Sequence, residues 1–222
     1  MIRLATVGTG WIVGEFLKGV REAGGICYTA CYSRSQQTGE VFAQQWGAQK
    51  VYTDLAQMAA DEEIDAVYIA SPNRLHYEQS KLFLQHGKHV ICEKPITVEP
   101  EELQELQELA QQKNLIYIEA LIGVYLPQMK VLQGAVERLG PVHLARFDFS
   151  QYSSKYPAYL RGELPNIFNP QMATGGWMDL GIYCLYPAIM LFGVPDHVHA
   201  HARFLSTGAD GSGCGTLQYP DK

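Results

Sequence analysis

The feature that most limits what this chain can fold into is a glycine turn at its very start. Residues 2–7, Ile-Arg-Leu-Ala-Thr-Val, read as a short buried strand, and Gly8-Thr9-Gly10-Trp11-Ile12-Val13 follows at once and opens a helical pattern over residues 11–23. A strand that runs through glycines straight into a helix brings bare backbone amides to the positive end of that helix, which is what a bound pyrophosphate needs. The arrangement is the dinucleotide fingerprint of a doubly wound parallel sheet. Its third glycine is missing, because Val13 stands there and Gly14 comes one residue later. That position serves helix-to-strand packing, so the departure bears on packing more than on binding.

The following hundred residues repeat the strand–helix alternation. Strand patterns at residues 26–33, 66–70, 89–92 and 115–120 alternate with helical ones at 35–46, 74–86 and 100–113. In the last of these Leu103, Leu106, Leu109 and Ala110 share a face, Pro100 suits the first turn, and glutamates crowd the positive end. Alternation of this kind builds βαβ units, hence an N-terminal Rossmann domain over residues 1–122. Beyond Gly123 the texture changes. Residues 142–151 alternate like a strand, 177–192 look helical, and 198–204 and 215–219 look like strands, giving an α+β domain over 123–222 with a mixed or antiparallel sheet.

A formal charge of -6 argues against a surface built to neutralise nucleic-acid phosphates and points to a small-molecule partner. No basic-then-apolar leader and no run of membrane-spanning length is present, so a soluble, cytoplasmic protein is expected, with no membrane partner. Five cysteines without C-x-x-C spacing read as free thiols. His197, His199 and His201 would share one strand face, yet no Asp, Glu or Cys joins them in sequence, and no metal is expected.

At the end of the second strand, where NAD-specific domains place a carboxylate for the ribose hydroxyls, this chain has Ser33-Arg34-Ser35. Arg34 can pair with a 2'-phosphate and the serines can donate to it, so NADP is favoured, with NAD as the alternative cofactor. A solvated loop arginine is the plainer reading of Arg34. Two further strand ends carry Ser71-Pro72-Asn73-Arg74-Leu75-His76 and Glu93-Lys94-Pro95, and downstream lies Gly175-Gly176-Trp177-Met178-Asp179-Leu180-Gly181-Ile182-Tyr183.

Taken together, these segments resemble the Gfo/Idh/MocA oxidoreductase family across essentially the whole chain. The resemblance implies catalytic roles for Lys94, Asp179 and Tyr183: the lysine at the oxygen of the reacting carbon, the aspartate holding substrate, the tyrosine exchanging the proton. It implies cofactor contacts from the 8–12 turn (Gly8, Thr9, Gly10, Trp11, Ile12), from Ser33, Arg34 and Ser35, from Ser71, Pro72, Asn73 and His76, and from Glu93 and Lys94. It also implies a cis Lys94-Pro95 bond. Many members carry histidine where Tyr183 stands, whereas the glucose-fructose oxidoreductase and dimeric dihydrodiol dehydrogenase branches carry tyrosine, so this chain looks closer to those.

The implied reaction is hydride transfer between a nicotinamide and a sugar-like alcohol or trans-dihydrodiol, with a dinucleotide-binding protein without turnover as the alternative. A carbinol gives up hydride only as its hydroxyl loses a proton, so a base is required, and a neighbouring ammonium such as that of Lys94 would favour the phenolate of Tyr183. Asp179 and Tyr183 are four residues apart, so one helix face can present both. Members run on beyond the segment at 215–221, so the chain is expected to be truncated, its substrate domain incomplete. Residues 219–222 would then be a hairpin turn that leaves strand 215–219 with an open edge. The full-length protein is expected to be a homo-oligomer.

Overall fold

The computed structural model describes residues 1–220. The chain divides into two units, Met1–Ala120 and Leu121–Lys222. The turn expected over residues 219–222 falls in part on 221 and 222, outside the described residues.

The first unit follows the chain as β1 (Ile2–Val7), α1 (Trp11–Ala23), β2 (Ile26–Tyr32), α2 (Gln36–Trp46), β3 (Lys50–Tyr52), α3 (Leu55–Ala60), β4 (Ala66–Ile69), α4 (His76–Gln85), β5 (His89–Cys92), α5 (Pro100–Gln112) and β6 (Tyr117–Glu119). All neighbouring strands are parallel, in the order β3-β2-β1-β4-β5-β6. Strand direction alternates side chains between two cores. Ala5, Val7, Val67, Ile69 and Val90 face one with Phe83, Leu84 and Leu106, whereas Leu4, Cys31, Ala66 and Tyr68 face the other with Val13, Leu17 and Phe42. Burying each such aliphatic or aromatic side chain contributes about 1.5–3 kcal/mol, and this is what holds helices on both faces of the sheet. The order reverses at β1, so the crevice between the ends of β1 and β4 is where a sheet of this class binds ligands.

Val13 does not loosen the packing, contrary to what its place in the fingerprint suggests. It is fully buried, and the close approach passes to Gly14, where a Cβ would lie 2.9 Å from the ring of Trp46. Gly14 thus lets α1 approach the end of α2, while Val13 and Leu17 pack on the sheet. Arg21 closes the same side, its guanidinium 4.8 Å from the Trp46 ring centre.

The second unit contains α6 (Ile122–Tyr125), α7 (Pro127–Leu139), α8 (Tyr156–Leu160), a π-helical turn at Trp177–Gly181 running into α9 (Ile182–Phe192), and an antiparallel hairpin of β7 (His197–Phe204) and β8 (Asp210–Gln218). The strand expected at 142–151 is not formed. Alternation dictates which side residues face but supplies no partner, and among the described residues no strand lies beside this segment to take its backbone hydrogen bonds. Residues 177–192 are helical as expected, but their first turn is π-wound. The three histidines of β7 stand opposite Gln218, Thr216 and Cys214. Among the described residues no helix is long and apolar enough to cross a membrane.

Candidate functional site

The cofactor side is built on the β1–α1 turn. Gly8 sits at φ +112°, a conformation that L side chains rarely adopt, and a Cβ there would meet the Ala70 carbonyl oxygen at 2.9 Å. The carbonyl cannot yield, since it belongs to the backbone, so only glycine lets β1 and β4 close around the turn. Gly10 caps α1 with extended backbone and no side chain, and the Val13 and Gly14 amides donate to its carbonyl, so the orphan amides that a helix start presents are those of Trp11 and Ile12. Thr9 and Ile12 are half-buried and Trp11 is exposed beside them. A Gly8→Ala variant is expected to lose about 1–3 kcal/mol of stability from backbone strain and to bind dinucleotide more weakly, as read by thermal melting and cofactor fluorescence titration. Unchanged binding would detach the turn from the cofactor.

At the end of β2 the three polar residues divide their work. Ser33 is buried, its amide donates to the Tyr52 carbonyl at 3.0 Å, and its hydroxyl accepts from the Ser35 amide at 3.3 Å, so it shapes the loop. Ser35 caps α2 by accepting from the Thr38 amide. Arg34 is exposed at the tip. Alongside, Thr9, Gln37, Thr38, Val41, Phe42 and Gln45 line a groove of about 370 Å³. The glycine cradle, the open helix end and the guanidinium together fit a phosphorylated dinucleotide: the 8–10 backbone would hold the pyrophosphate, and Arg34 with Ser35 the adenosine end.

The turn that carries Lys94 follows β5. Its peptide bond to Pro95 is cis. The Glu93 amide donates to the Ile69 carbonyl at 2.8 Å, the Glu93 carboxylate accepts from the Lys94 amide and the Tyr68 hydroxyl, and the Ile96 amide donates to Glu119 Oε1 at 2.8 Å. Tyr68 is itself stacked on Phe16, ring centres 3.8 Å apart. Glu93 therefore fixes the turn. Glu119 escaped the sequence reading, and the signal available for it was a carboxylate at the last position of a parallel strand.

On the neighbouring β4 loop, the Ser71 hydroxyl donates to Gln79 Oε1 at 2.7 Å, and Pro72 and Asn73 lead through a short 3₁₀ turn into α4. His76 is 0% exposed, with both ring nitrogens against backbone carbonyls, so in this structure it is enclosed as a hydrogen-bonded helix histidine. Cys92, equally buried, has its thiol pushed up by desolvation and is no nucleophile.

In the second unit, Gly175 sits at φ +140°, and a side chain there would collide with the carboxylate of Asp210. Asp210 Oδ2 accepts from the Trp177 amide at 2.7 Å and so caps the start of the π-helical turn. Gly213 and Gly215 on β8 leave room for the Trp177 ring. These contacts anchor the turn that holds Asp179, and Tyr183 lies one turn on, its ring 5.6 Å from that of Phe149. Four residues come close to one full turn in either α- or π-winding, so Asp179 and Tyr183 share a face. Asp210 was also missed, since nothing in sequence links it to glycines 35 residues earlier. The aromatic residues Tyr152, Tyr156, Tyr159 and Phe168 pack on one another at 5.3–6.0 Å.

A family model described as "Oxidoreductase family, NAD-binding Rossmann fold" matches residues 2–121, and one described as "GFO/IDH/MocA C-terminal domain" matches residues 135–222. The chain is 42% identical over 219 residues to scyllo-inositol 2-dehydrogenase (NADP(+)) of Bacillus subtilis, covering 99% of this chain and 67% of that protein. It is 30% identical over 195 residues to trans-1,2-dihydrobenzene-1,2-diol dehydrogenase of Mus musculus, covering 86% of this chain and 56% of that one. The fold matches biliverdin reductase from Synechocystis, in complex with biliverdin and NADP+, with a TM-score of 0.83 at 22% identity, over 99% of this chain and 68% of that one. This chain thus spans about two thirds of the bacterial dehydrogenase and little more than half of the mouse enzyme.

Proposed function

This chain belongs to the Gfo/Idh/MocA family of NAD(P)-binding oxidoreductases, and from that premise we propose that it is part of an NADP-preferring dehydrogenase acting on a sugar-like alcohol of the polyol or dihydrodiol class. The observation that carries the reading is the exposed guanidinium of Arg34 at the end of β2, where no carboxylate stands to bind an unphosphorylated ribose. A 42%-identical relative named as an NADP(+) dehydrogenase of an inositol supports it. The domain roles follow: residues 1–122 bind the dinucleotide and 123–222 contribute to the substrate side.

When bound, the nicotinamide supplies the hydride acceptor or donor. The residues of this chain supply the rest. Lys94 offers an ammonium to the developing alkoxide, Asp179 accepts a substrate hydroxyl, and Tyr183 exchanges the proton of the reacting hydroxyl. A charge of -6 supports a small-molecule substrate over nucleic acid. The reading carries with it a cytoplasmic homo-oligomer.

The test is a screen of polyols, aldoses and dihydrodiols for NADP reduction, alongside direct titration of NADPH. Turnover with at least one cyclic polyol or dihydrodiol is expected. Tight cofactor binding with no turnover across the panel would replace this reading with that of a non-catalytic dinucleotide-binding protein.

A further inference from the structure

His76 is a buried titratable group that the proposed reaction does not use. Its Nδ1 lies 2.8 Å from the carbonyl oxygen of Pro95, and its Nε2 lies 2.9 Å from the carbonyl oxygen of Ser71. Carbonyl oxygens only accept. A neutral imidazole has one N–H and one lone pair, so it can bond one of these carbonyls and must turn its lone pair on the other, whereas an imidazolium donates to both. The two carbonyls belong to two different loops, the one after β4 and the one that carries Lys94.

The other fasteners of the Lys94 turn behave differently. The Ile96 amide on Glu119, the Lys94 amide on Glu93 and the Tyr117 hydroxyl on the Ile96 carbonyl keep their donors across the physiological range. Among the contacts described, the bond to Pro95 comes from the group that gains a donor on acidification. We infer that His76 is a positioning residue for Lys94, fastening the Lys94-Pro95 segment to the Ser71 loop by one bond as the neutral ring and by both as the imidazolium.

The charged groups facing the ring from the elements packed against it are Glu93 after β5 and Glu119 in β6, and both favour the second proton, as do the two carbonyls. Burial is the largest influence and acts the other way, and the net effect holds the imidazole below its ordinary value of 6.5. The ring is therefore singly protonated at neutral pH, and the double fastening forms on acidification. The stability consequence has the opposite sense. With the folded value below the unfolded one, His76 contributes stability that is present above pH 6.5 and lost as pH falls through the folded value. Thermal midpoints of the unmodified protein should consequently fall, relative to His76→Gln, as pH drops below 6.5.

The effect on turnover rests on Lys94 being catalytic, but the fastening itself can be read without turnover. In ¹⁵N-labelled protein, one His76 ring nitrogen should carry a lone pair at pH 8 and both should become protonated on acidification, with a midpoint below 6.5. The amide resonances of Lys94 and Ile96 should shift with that same midpoint, and in His76→Gln this shift should vanish. Amides that ignore the ring titration in the unmodified protein would overturn the inference, as would amide shifts that persist in the variant. Should the variant not fold, the coupling in the unmodified protein decides alone. Coupling without any effect of pH on turnover would leave the fastening intact and count against Lys94 as a catalytic group.

Discussion

Tyr183→Phe is expected to lower turnover by roughly 10²–10⁴-fold with little change in cofactor affinity, since loss of a positioned proton acceptor costs about that much. The phenol oxygen is the only atom removed, and the ring keeps its edge contact with Phe149, so the packing of α9 should survive. Cofactor affinity is expected to be spared because the substitution leaves the glycine turn and Arg34 untouched. Lys94→Met should be similarly damaging. If both residues serve one proton-transfer step, the double variant should cost less than the product of the two single effects. Steady-state kinetics of the three variants with an accepted alcohol test this. Near-normal turnover in Tyr183→Phe would return that residue to helix packing. Multiplying effects would mean that Lys94 and Tyr183 act in separate steps, and an inactive Asp210→Asn variant with weakened substrate binding would trace Asp179 back to the cap that holds its turn.

The second large effect concerns cofactor choice. Arg34→Ala should weaken NADPH binding relative to NADH by about 10–150-fold, the equivalent of the roughly 1.5–3 kcal/mol that a charge-assisted bond to phosphate contributes. Because Arg34 is exposed, the preference should also shrink as ionic strength rises. Ser35→Ala should have a smaller effect of the same kind. Ser33→Ala should instead loosen the loop and affect both cofactors alike, since its hydroxyl is buried and already accepts from the Ser35 amide. Fluorescence titration of both cofactors against the three variants separates these roles. Equal affinities for NADPH and NADH in the unmodified protein would sink the assignment.

The parts of this protein legible in its sequence are those set by short-range rules. The β1–α1 glycine turn, the alternation of strands and helices, and the apolar face of α5 each follow from residues a few positions apart, and these local choices agree with the global sheet. Elements were missed where the local signal was short. Lys50–Tyr52 is a three-residue edge strand, recognised as one only because β2 lies beside it. Residues 142–151 had the reverse fate, an alternating pattern with no neighbour to bond.

The sequence by itself determined that the chain would carry a Rossmann unit with a dinucleotide turn, because the turn chemistry is contiguous in the chain, and the family resemblance of its motifs singled out Lys94, Asp179 and Tyr183 as candidates. Only the tertiary structure decided which residues hold those groups in place. Asp210 reaches back to the Trp177 amide from β8, Glu119 reaches the Ile96 amide from β6, and Gly14 finds Trp46 on another helix. His76 was singled out in sequence, but nothing local reveals that its ring would be enclosed between carbonyls 5 residues before it and 19 after it. Hydrogen bonds and close contacts act over a few ångströms in space, whatever the separation along the chain, so partners of this kind exist only once the sheet has brought its strand ends together.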